Sequence, residues 1–249
     1  MGMFGGTGGY FWLDSWIMGN LVQLGTQRFC RRFLSRTNDP TGRQYDQMTQ
    51  AARSGCANNA EGSARRATSR ETEMRLTDVA RASLAELAGD YLNWLLRQEQ
   101  APWGKGTPEA RAVYAVRLDK AAYGEDVVHD ACVHILNQKK KFAQWLDTDD
   151  DVTMANTLLI LIARAINMLN HQMEAQGETF KEKGGFRETL AGLRAVARAQ
   201  QQGAPVCPDC GKPMARRTAR SGRNSGREFW GCTGYPDCQG VREVNSGGP

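Results

Sequence analysis

Four cysteines near the end of the sequence, Cys207, Cys210, Cys232 and Cys238, constrain it more than any other feature. The first pair encloses Pro208-Asp209 and is followed by Gly211. The second begins after a gap of 21 residues, among Gly231, Gly234 and Pro236. Paired thiols on tight turns are what a tetrahedral Zn²⁺ site needs, and the glycines let the backbone curl around the ion. Four thiolates close the coordination shell and leave no position for water, so one structural zinc ion is expected, not a catalytic one. A module of about 40 residues buries too little apolar surface to fold alone, so metal binding must supply most of its folding free energy, on the order of 10 kcal/mol or more. A disulfide framework would need a secreted context. Residues 1–10 are glycine-rich, without the basic and apolar regions of a signal peptide, so a reduced, cytoplasmic setting is expected.

Within this segment, Cys207-Pro-Asp-Cys210-Gly-Lys-Pro-Met214 and Phe229-Trp230-Gly231-Cys232-Thr-Gly-Tyr235-Pro236-Asp-Cys238 resemble the zinc ribbon repeated at the C-terminus of bacterial type IA DNA topoisomerases. The resemblance spans about 207–244 and gives one ribbon copy. It implies binding of single-stranded DNA without cleavage. Nothing upstream resembles the topoisomerase catalytic core, so that activity is not expected. The residues support nucleic-acid binding on their own account. Phe229, Trp230 and Tyr235 exceed what so small a module can bury, and an exposed ring offers a stacking platform for a base. Arg216, Arg217, Arg220, Arg223 and Arg227 lie between the cysteine pairs with no acidic residue among them, as phosphate contacts require. The plainer alternatives are packing of Trp230 on the zinc turns and a solvated loop for the arginines.

Upstream the pattern is helical. Leu13, Ile17, Leu21, Leu24, Phe29 and Phe33 recur at helical spacing over 11–36, and Asn38-Asp39-Pro40-Thr41-Gly42 breaks that helix. Tyr45, Met48, Ala52, Gly55 or Cys56, and Asn59 mark a second helix with a face of small residues, expected to end or bend at Gly62-Ser63. Thr68-Ser-Arg-Glu71 has the spacing of a capping box opening a third, which runs through Leu76, Val79 or Ala80, Ser83 or Leu84, Leu87, Tyr91 and Leu95. Residues 101–108 read as a loop and 109–146 as one or two inserted helices. Asp147 to Asp151 supplies negative charge for the start of the most regular helix, with Leu158, Leu161, Ile162, Ala165, Leu169 and Met173. Residues 177–185 should interrupt, and 186–202 should form a last helix ahead of a 200–206 linker. The expected fold is therefore all-α, an antiparallel four-helix bundle over 11–199 with extra helices, followed by a small β-type zinc ribbon with four cysteine ligands and a 245–249 tail.

The run Gln50-Ala-Ala-Arg53-Ser-Gly-Cys-Ala-Asn58-Asn59-Ala60-Glu61-Gly62, with Arg66, Ser69, Glu71 and then Ala82-Ser-Leu-Ala-Glu86-Leu87, resembles a second family. These are the four-helix bundles encoded by intervening sequences of bacterial large ribosomal RNA genes, related to the accessory variability protein of diversity-generating retroelements. The likeness covers about 11–100 and, more loosely, 152–175; the 101–147 insert and the Asn58-Asn59 pair depart from it. It implies a homo-oligomeric bundle with basic surfaces, and a relative that binds nucleic acid and a reverse transcriptase. Two arginine groups fit a polyanion partner. Arg28, Arg31, Arg32 and Arg36 share a helix with no acidic residue between Asp14 and Asp39, and Arg65, Arg66 and Arg70 cluster at a turn. Solvated basic faces are the simpler reading of both.

Apolar residues make up 41% and charged residues 24%, an ordinary globular composition, and the net charge of +5 permits an acidic partner without demanding one. No apolar run approaches the roughly 20 residues of a membrane span, so no membrane partner is expected. His129-Asp130-Ala-Cys132-Val-His134 holds metal-ligand residue types, but not on one helical face. Asp147 to Asp151 lacks the glycine and terminal glutamate of a calcium loop. Glu61 has no catalytic companion, Lys139 to Lys141 reads as an exposed charge run, and Gly5 to Gly9 lacks the setting of a phosphate loop. The sequence thus describes a non-enzymatic nucleic-acid-binding protein: single-stranded DNA is favoured, RNA is the second candidate, and zinc ribbons are tethered to a homo-oligomeric bundle. The alternative is an oligomeric interaction scaffold for a polymerase or reverse transcriptase. A nuclease ranks third.

Overall fold

The computed structural model describes residues 9–183, 194, 204–219 and 225–244, and the chain divides into two compact units, 1–183 and 184–249. The first is helical. After a short 3₁₀ turn, Gly9–Trp12, come α1 (Asp14–Phe33), α2 (Arg43–Arg65), α3 (Arg70–Leu96), α4 (Pro108–Ala115), α5 (Val127–Lys140), α6 (Ala143–Leu146) and α7 (Asp151–Lys183). The four long helices α1, α2, α3 and α7 pack in a ring of neighbours, each touching the next, with α4 and α6 against α7 and α5 against α1.

Their shared core is the apolar stripe of each helix turned inward: Ile17, Leu21 and Phe29 from α1, Met48 and Ala52 from α2, Leu84, Leu87 and Tyr91 from α3, and Leu158, Leu161 and Ile162 from α7. Burying such side chains is worth about 1.5–3 kcal/mol each for the larger ones. Tyr91 is wholly buried, and its hydroxyl donates to Thr26 Oγ1 at 3.0 Å, so its polar end is satisfied. Small residues set the closeness of approach. A Cβ on Gly55 would lie 2.7 Å from the Leu84 side chain, and one on Gly62 would lie 3.1 Å from the Glu73 carbonyl oxygen.

Several local expectations shift. Gly62 does not end α2, which runs on to Arg65; beside Gly62 the backbone of α3 comes close, at the Glu73 carbonyl. The cap of α3 is Ser69, whose hydroxyl accepts from Thr72 N at 3.1 Å, while Thr68 donates instead to the Arg65 carbonyl. The N-cap thus falls one residue later than the expected box, because Thr68 is held in the turn that leaves α2. The insert holds three helices, not one or two. Gly177 does not interrupt: α7 continues through it to Lys183, since one glycine costs only about 1 kcal/mol in a helix. The expected helix over 186–202 lies outside the described residues apart from Arg194. By length and mean hydropathy, 1.6 over its best stretch, α7 would suffice to cross a bilayer, contrary to the sequence reading. Its apolar residues are those that fill the bundle core.

The second unit carries an antiparallel sheet of β1 (Met214–Thr218), β2 (Glu228–Cys232) and β3 (Val241–Glu243) in the order β1-β2-β3. Together the two units give the all-α bundle and small β ribbon expected from the sequence.

Candidate functional site

The ribbon folds its four cysteines into one cluster from two turns. In the first, Gly211 N donates to the Cys207 carbonyl at 2.9 Å and Cys207 N to the Lys212 carbonyl at 2.8 Å, with Gly211 at φ +69°, a left-handed value that favours glycine. In the second, Cys238 N donates to Gly234 O at 3.0 Å and Cys232 N to Gly240 O at 2.9 Å. All four Sγ atoms lie within 4.8 Å of one another, with 3.7 Å between Cys207 and Cys238 and 3.4 Å between Cys210 and Cys232. Thiolates at zinc bond lengths of about 2.3 Å stand about 3.8 Å apart at the corners of a tetrahedron. The cysteines therefore fit a single zinc ion, and among the described residues no other His/Cys/Asp/Glu group is so placed.

The thiols themselves call for a cation. A hydrogen bond from the Lys212 backbone N–H, then bonds shared with Cys232 and Cys238, hold Cys210 down at about 7. Cys238 goes up to about 12: the Gly240 backbone N–H lowers it, but sharing with Cys210, burial and sharing with Cys207 outweigh that bond. Four thiolates this close repel each other unless a metal neutralises them. Gly240 packs directly on the Cys207 sulfur, so a side chain there would displace the ligand.

The sheet sorts the remaining ribbon residues. Residues paired across an antiparallel ladder share a face. The register opposes Met214 to Cys232, Arg216 to Trp230 and Trp230 to Arg242, which puts these on one face, with Trp230 against the cluster of Cys207, Met214 and Cys232. The other face carries Phe229 between Arg217 and Glu243, and Gly231 between Ala215 and Val241. Both the Arg217 side chain and the Phe229 ring reach over Gly231, where a Cβ would meet them at 3.1 and 3.3 Å. Tyr235, 63% exposed, stands apart from the sheet in the second cysteine turn. Arg216 is paired with Glu228 at 2.8 Å, and Arg227 is exposed beside it. Arg220 and Arg223 lie outside the described residues. Arg242, which the sequence reading did not single out, flanks Trp230 on the side opposite Arg216.

The arginines of the bundle are distributed differently from a bare basic face. Arg28 meets Asp147 at 3.3 Å and Arg32 meets Asp149, so acids from the α6–α7 junction answer a helix that carries none of its own beyond Asp14. Arg31 and Arg36 are exposed, and Arg65 pairs with Glu61 at 3.6 Å. Arg66 and Arg70 rim a cavity of about 720 Å³ at one end of the bundle. Lys139 and Lys141 are not a free charge run: they reach Asp147 and Asp119 at 3.9 and 2.7 Å. His129 pairs with its neighbour Asp130, and His134 lies edge-on to Tyr123.

That end cavity holds a polar network unforeseen in the sequence. Ser15 donates to Gln172 at 2.7 Å, Gln172 to Asn59 at 3.1 Å, and Asn59 back to Ser15 at 3.0 Å. One turn further along α7, Gln176 donates to Glu73 at 3.1 Å and to Thr77 at 3.2 Å. Burial pushes the Glu73 carboxyl above its ordinary value, opposed by Arg66, the Gln176 hydrogen bond and Arg70. The available signal was Gln172 and Gln176, four residues apart and so on one face of α7.

Comparison with known proteins gives one match. Residues 205–247 fit the family described as topoisomerase DNA-binding C4 zinc finger, and the match is confined to the ribbon. No curated protein and no solved structure matches the chain significantly. The cysteine cluster, the sheet and this family together identify a topoisomerase-type zinc ribbon, which suggests nucleic-acid binding.

Proposed function

We propose that the protein is a non-enzymatic nucleic-acid-binding protein that holds single-stranded DNA, with RNA as the second candidate, on its zinc ribbon. The supporting observation is the division of the ribbon sheet into two faces. One is occupied by the zinc turns and Trp230. The other presents Phe229 and Arg217 side by side over a glycine, with Val241 and Glu243 exposed on the β3 side. A flat ring beside a guanidinium suits a base and its phosphate, and a duplex hides the base faces that such a surface needs. Tyr235, 63% exposed in the second cysteine turn, offers a further ring, and Arg242 lies on the Trp230 face.

Homo-oligomerisation, implied by the resemblance of the bundle to the ribosomal intervening-sequence and retroelement accessory families, would place several ribbons on one strand. The effective concentration gained would raise affinity beyond that of one ribbon. The exposed Leu92 and Leu96 on α3 offer apolar surface for such an assembly. A second reading, a scaffold for a polymerase-type protein, is favoured by α5: Val128, Cys132 and Leu136 are exposed at successive helical turns.

The test is fluorescence anisotropy of the zinc-loaded full chain with single-stranded DNA, duplex DNA and RNA across a salt series. Binding to a single strand that weakens with salt, and is lost on zinc removal, is the expected result. Binding unaffected by zinc removal would move the function to the bundle, and no binding at all would favour the scaffold.

A further inference from the structure

The 101–147 insert builds a cationic cavity that neither the ribbon nor the arginine groups above account for. Between α4 and α7 lies an open hollow of about 660 Å³, lined by Lys105, Arg111, Tyr114, Arg164 and Asn167, with the exposed Ala115 and Ala163 among them. That volume falls within the roughly 300–1,000 Å³ usual for small-ligand sites. No carboxylate lines it, and among the described residues none of the three cations forms an ion pair. Arg28, Arg32, Arg65, Arg81, Lys139 and Lys141, by contrast, all reach acids.

The backbone that carries the three cations is anchored. Trp103 N donates to the buried Asn156 at 2.7 Å, which fixes the loop carrying Lys105 to α7. Thr107 caps α4, accepting from Ala110 N at 3.3 Å, and so sets where Arg111 stands one turn later. The Arg111 guanidinium turns back over Gly106, 3.9 Å from where a Cβ would stand, and so toward the Lys105 loop. Arg164 is half-buried. One of its N–H groups reaches the Val113 carbonyl at 3.4 Å, in the last turn of α4, and its guanidinium lies 5.8 Å from the centre of the Phe142 ring. Those contacts use one of its five donors. Burial, and then the like charge of Arg117, weaken its hold on its own proton, so it sits where an anion would relieve it. Tyr114 is exposed at the cavity wall and contacts no other ring among the described residues.

We infer that this cavity binds a phosphate group on a nucleotide-sized ligand, with Lys105, Arg111 and Arg164 on the phosphate oxygens and the Tyr114 ring against the base. Arg supplies planar paired donors to phosphate, Lys a point charge, and the ring a stacking face. The phosphate belongs either to a free mononucleotide or to the terminal nucleotide of a strand. The second source rests on the nucleic-acid reading above; the first is independent of it.

The test uses the zinc-loaded full chain, titrated with adenosine monophosphate and with adenosine by isothermal calorimetry, beside single-stranded oligonucleotides with and without a 5′ phosphate. The variants are Lys105→Gln with Arg111→Gln, both exposed and outside the core, and separately Tyr114→Ala. The monophosphate should bind at least tenfold tighter than adenosine. The double variant should lower that affinity at least tenfold, with helical content and zinc unchanged. If only monophosphate binding falls, the ligand is a free nucleotide; if preference for the 5′-phosphorylated strand falls with it, a strand end is the source. Tyr114→Ala should weaken the monophosphate and adenosine alike, since the ring meets the base they share. Monophosphate affinity unchanged in the double variant, or equal affinity for adenosine, overturns the site. Trp230→Ala and zinc removal should leave monophosphate binding intact, which separates failure of this site from failure of the ribbon.

Discussion

The bundle and the ribbon are held together by opposite means. Four long helices bury a continuous set of apolar side chains around Tyr91, Phe29 and Leu161, and nothing in that core calls for a cofactor. The ribbon's buried cluster is Cys207, Met214 and Cys232, with Trp230 and Cys238 packed against it. Two of its three fully buried members are metal ligands. The bundle therefore owes its stability to area removed from water, and the ribbon to coordinate bonds. It follows that each unit can be destroyed without the other, and every expectation below turns on that separation.

The largest effect belongs to zinc. Cys232→Ser, or a chelator, removes on the order of 10 kcal/mol or more from the ribbon. Metal content should fall from one per chain to none, the ribbon amide signals should collapse, and single-strand affinity should drop at least tenfold. The helical circular dichroism signal should melt where it did before. One shared transition that moves with zinc would abolish the separation.

The converse strikes the bundle alone. Leu84→Ala opens a cavity beside Gly55 and should cost about 2–5 kcal/mol in chemical denaturation. Gly62→Ala drives a methyl toward the Glu73 carbonyl, a backbone atom with little freedom to retreat, and should cost about 1–3 kcal/mol. Zinc content should stay at one per chain in both. Loss of zinc in either variant would mean that the units are coupled.

A smaller effect divides the ribbon itself. Phe229→Ala should weaken single-strand binding by about 1–3 kcal/mol with zinc retained, as expected for a ring that stacks on a base. Trp230→Ala should act first on ribbon stability, since Trp230 packs on the cysteine cluster. Equal binding losses with full zinc retention in both would place the strand on the Trp230 face, between Arg216 and Arg242.

The two regions were also legible to different degrees. The zinc ligands follow from spacing, because a metal shell fixes both residue type and separation. The four long helices follow from periodicity, since each buries one stripe. What escaped depends on partners far away in sequence. The face of Arg28 and Arg32 reads as unopposed until α6 brings Asp147 and Asp149 beside it. Gly62 reads as a breaker because the sequence does not show α3 pressing on it, and the division between Phe229 and Trp230 depends on the β1–β2 register. The Ser15–Gln172–Asn59 triangle joins residues up to 157 positions apart, beyond the reach of any local pattern.

The smallest expected effect concerns the other polar group in that bundle end. Glu73 is 7% exposed, and burial raises its native pKa above the ordinary 4.5. A raised native value means that the fold favours the protonated acid. Glu73 then contributes stability below its unfolded pKa, and that contribution is lost as pH rises through the native value. Gln176 Oε1 is buried with no hydrogen-bond partner, so a proton on Glu73 would also offer it a donor. Glu73→Gln supplies an amide N–H at every pH and cannot ionise. Measured by urea denaturation at a series of pH values, the variant should gain on wild type as pH rises from below the ordinary carboxylate range toward neutrality. Arg66→Gln should enlarge that gain, because Arg66 is the strongest of the charges that hold the Glu73 carboxylate down. Ribbon zinc content should not change with either substitution. Parallel stability curves for wild type and Glu73→Gln would show that the carboxylate reaches water through the cavity mouth and that its burial carries no cost.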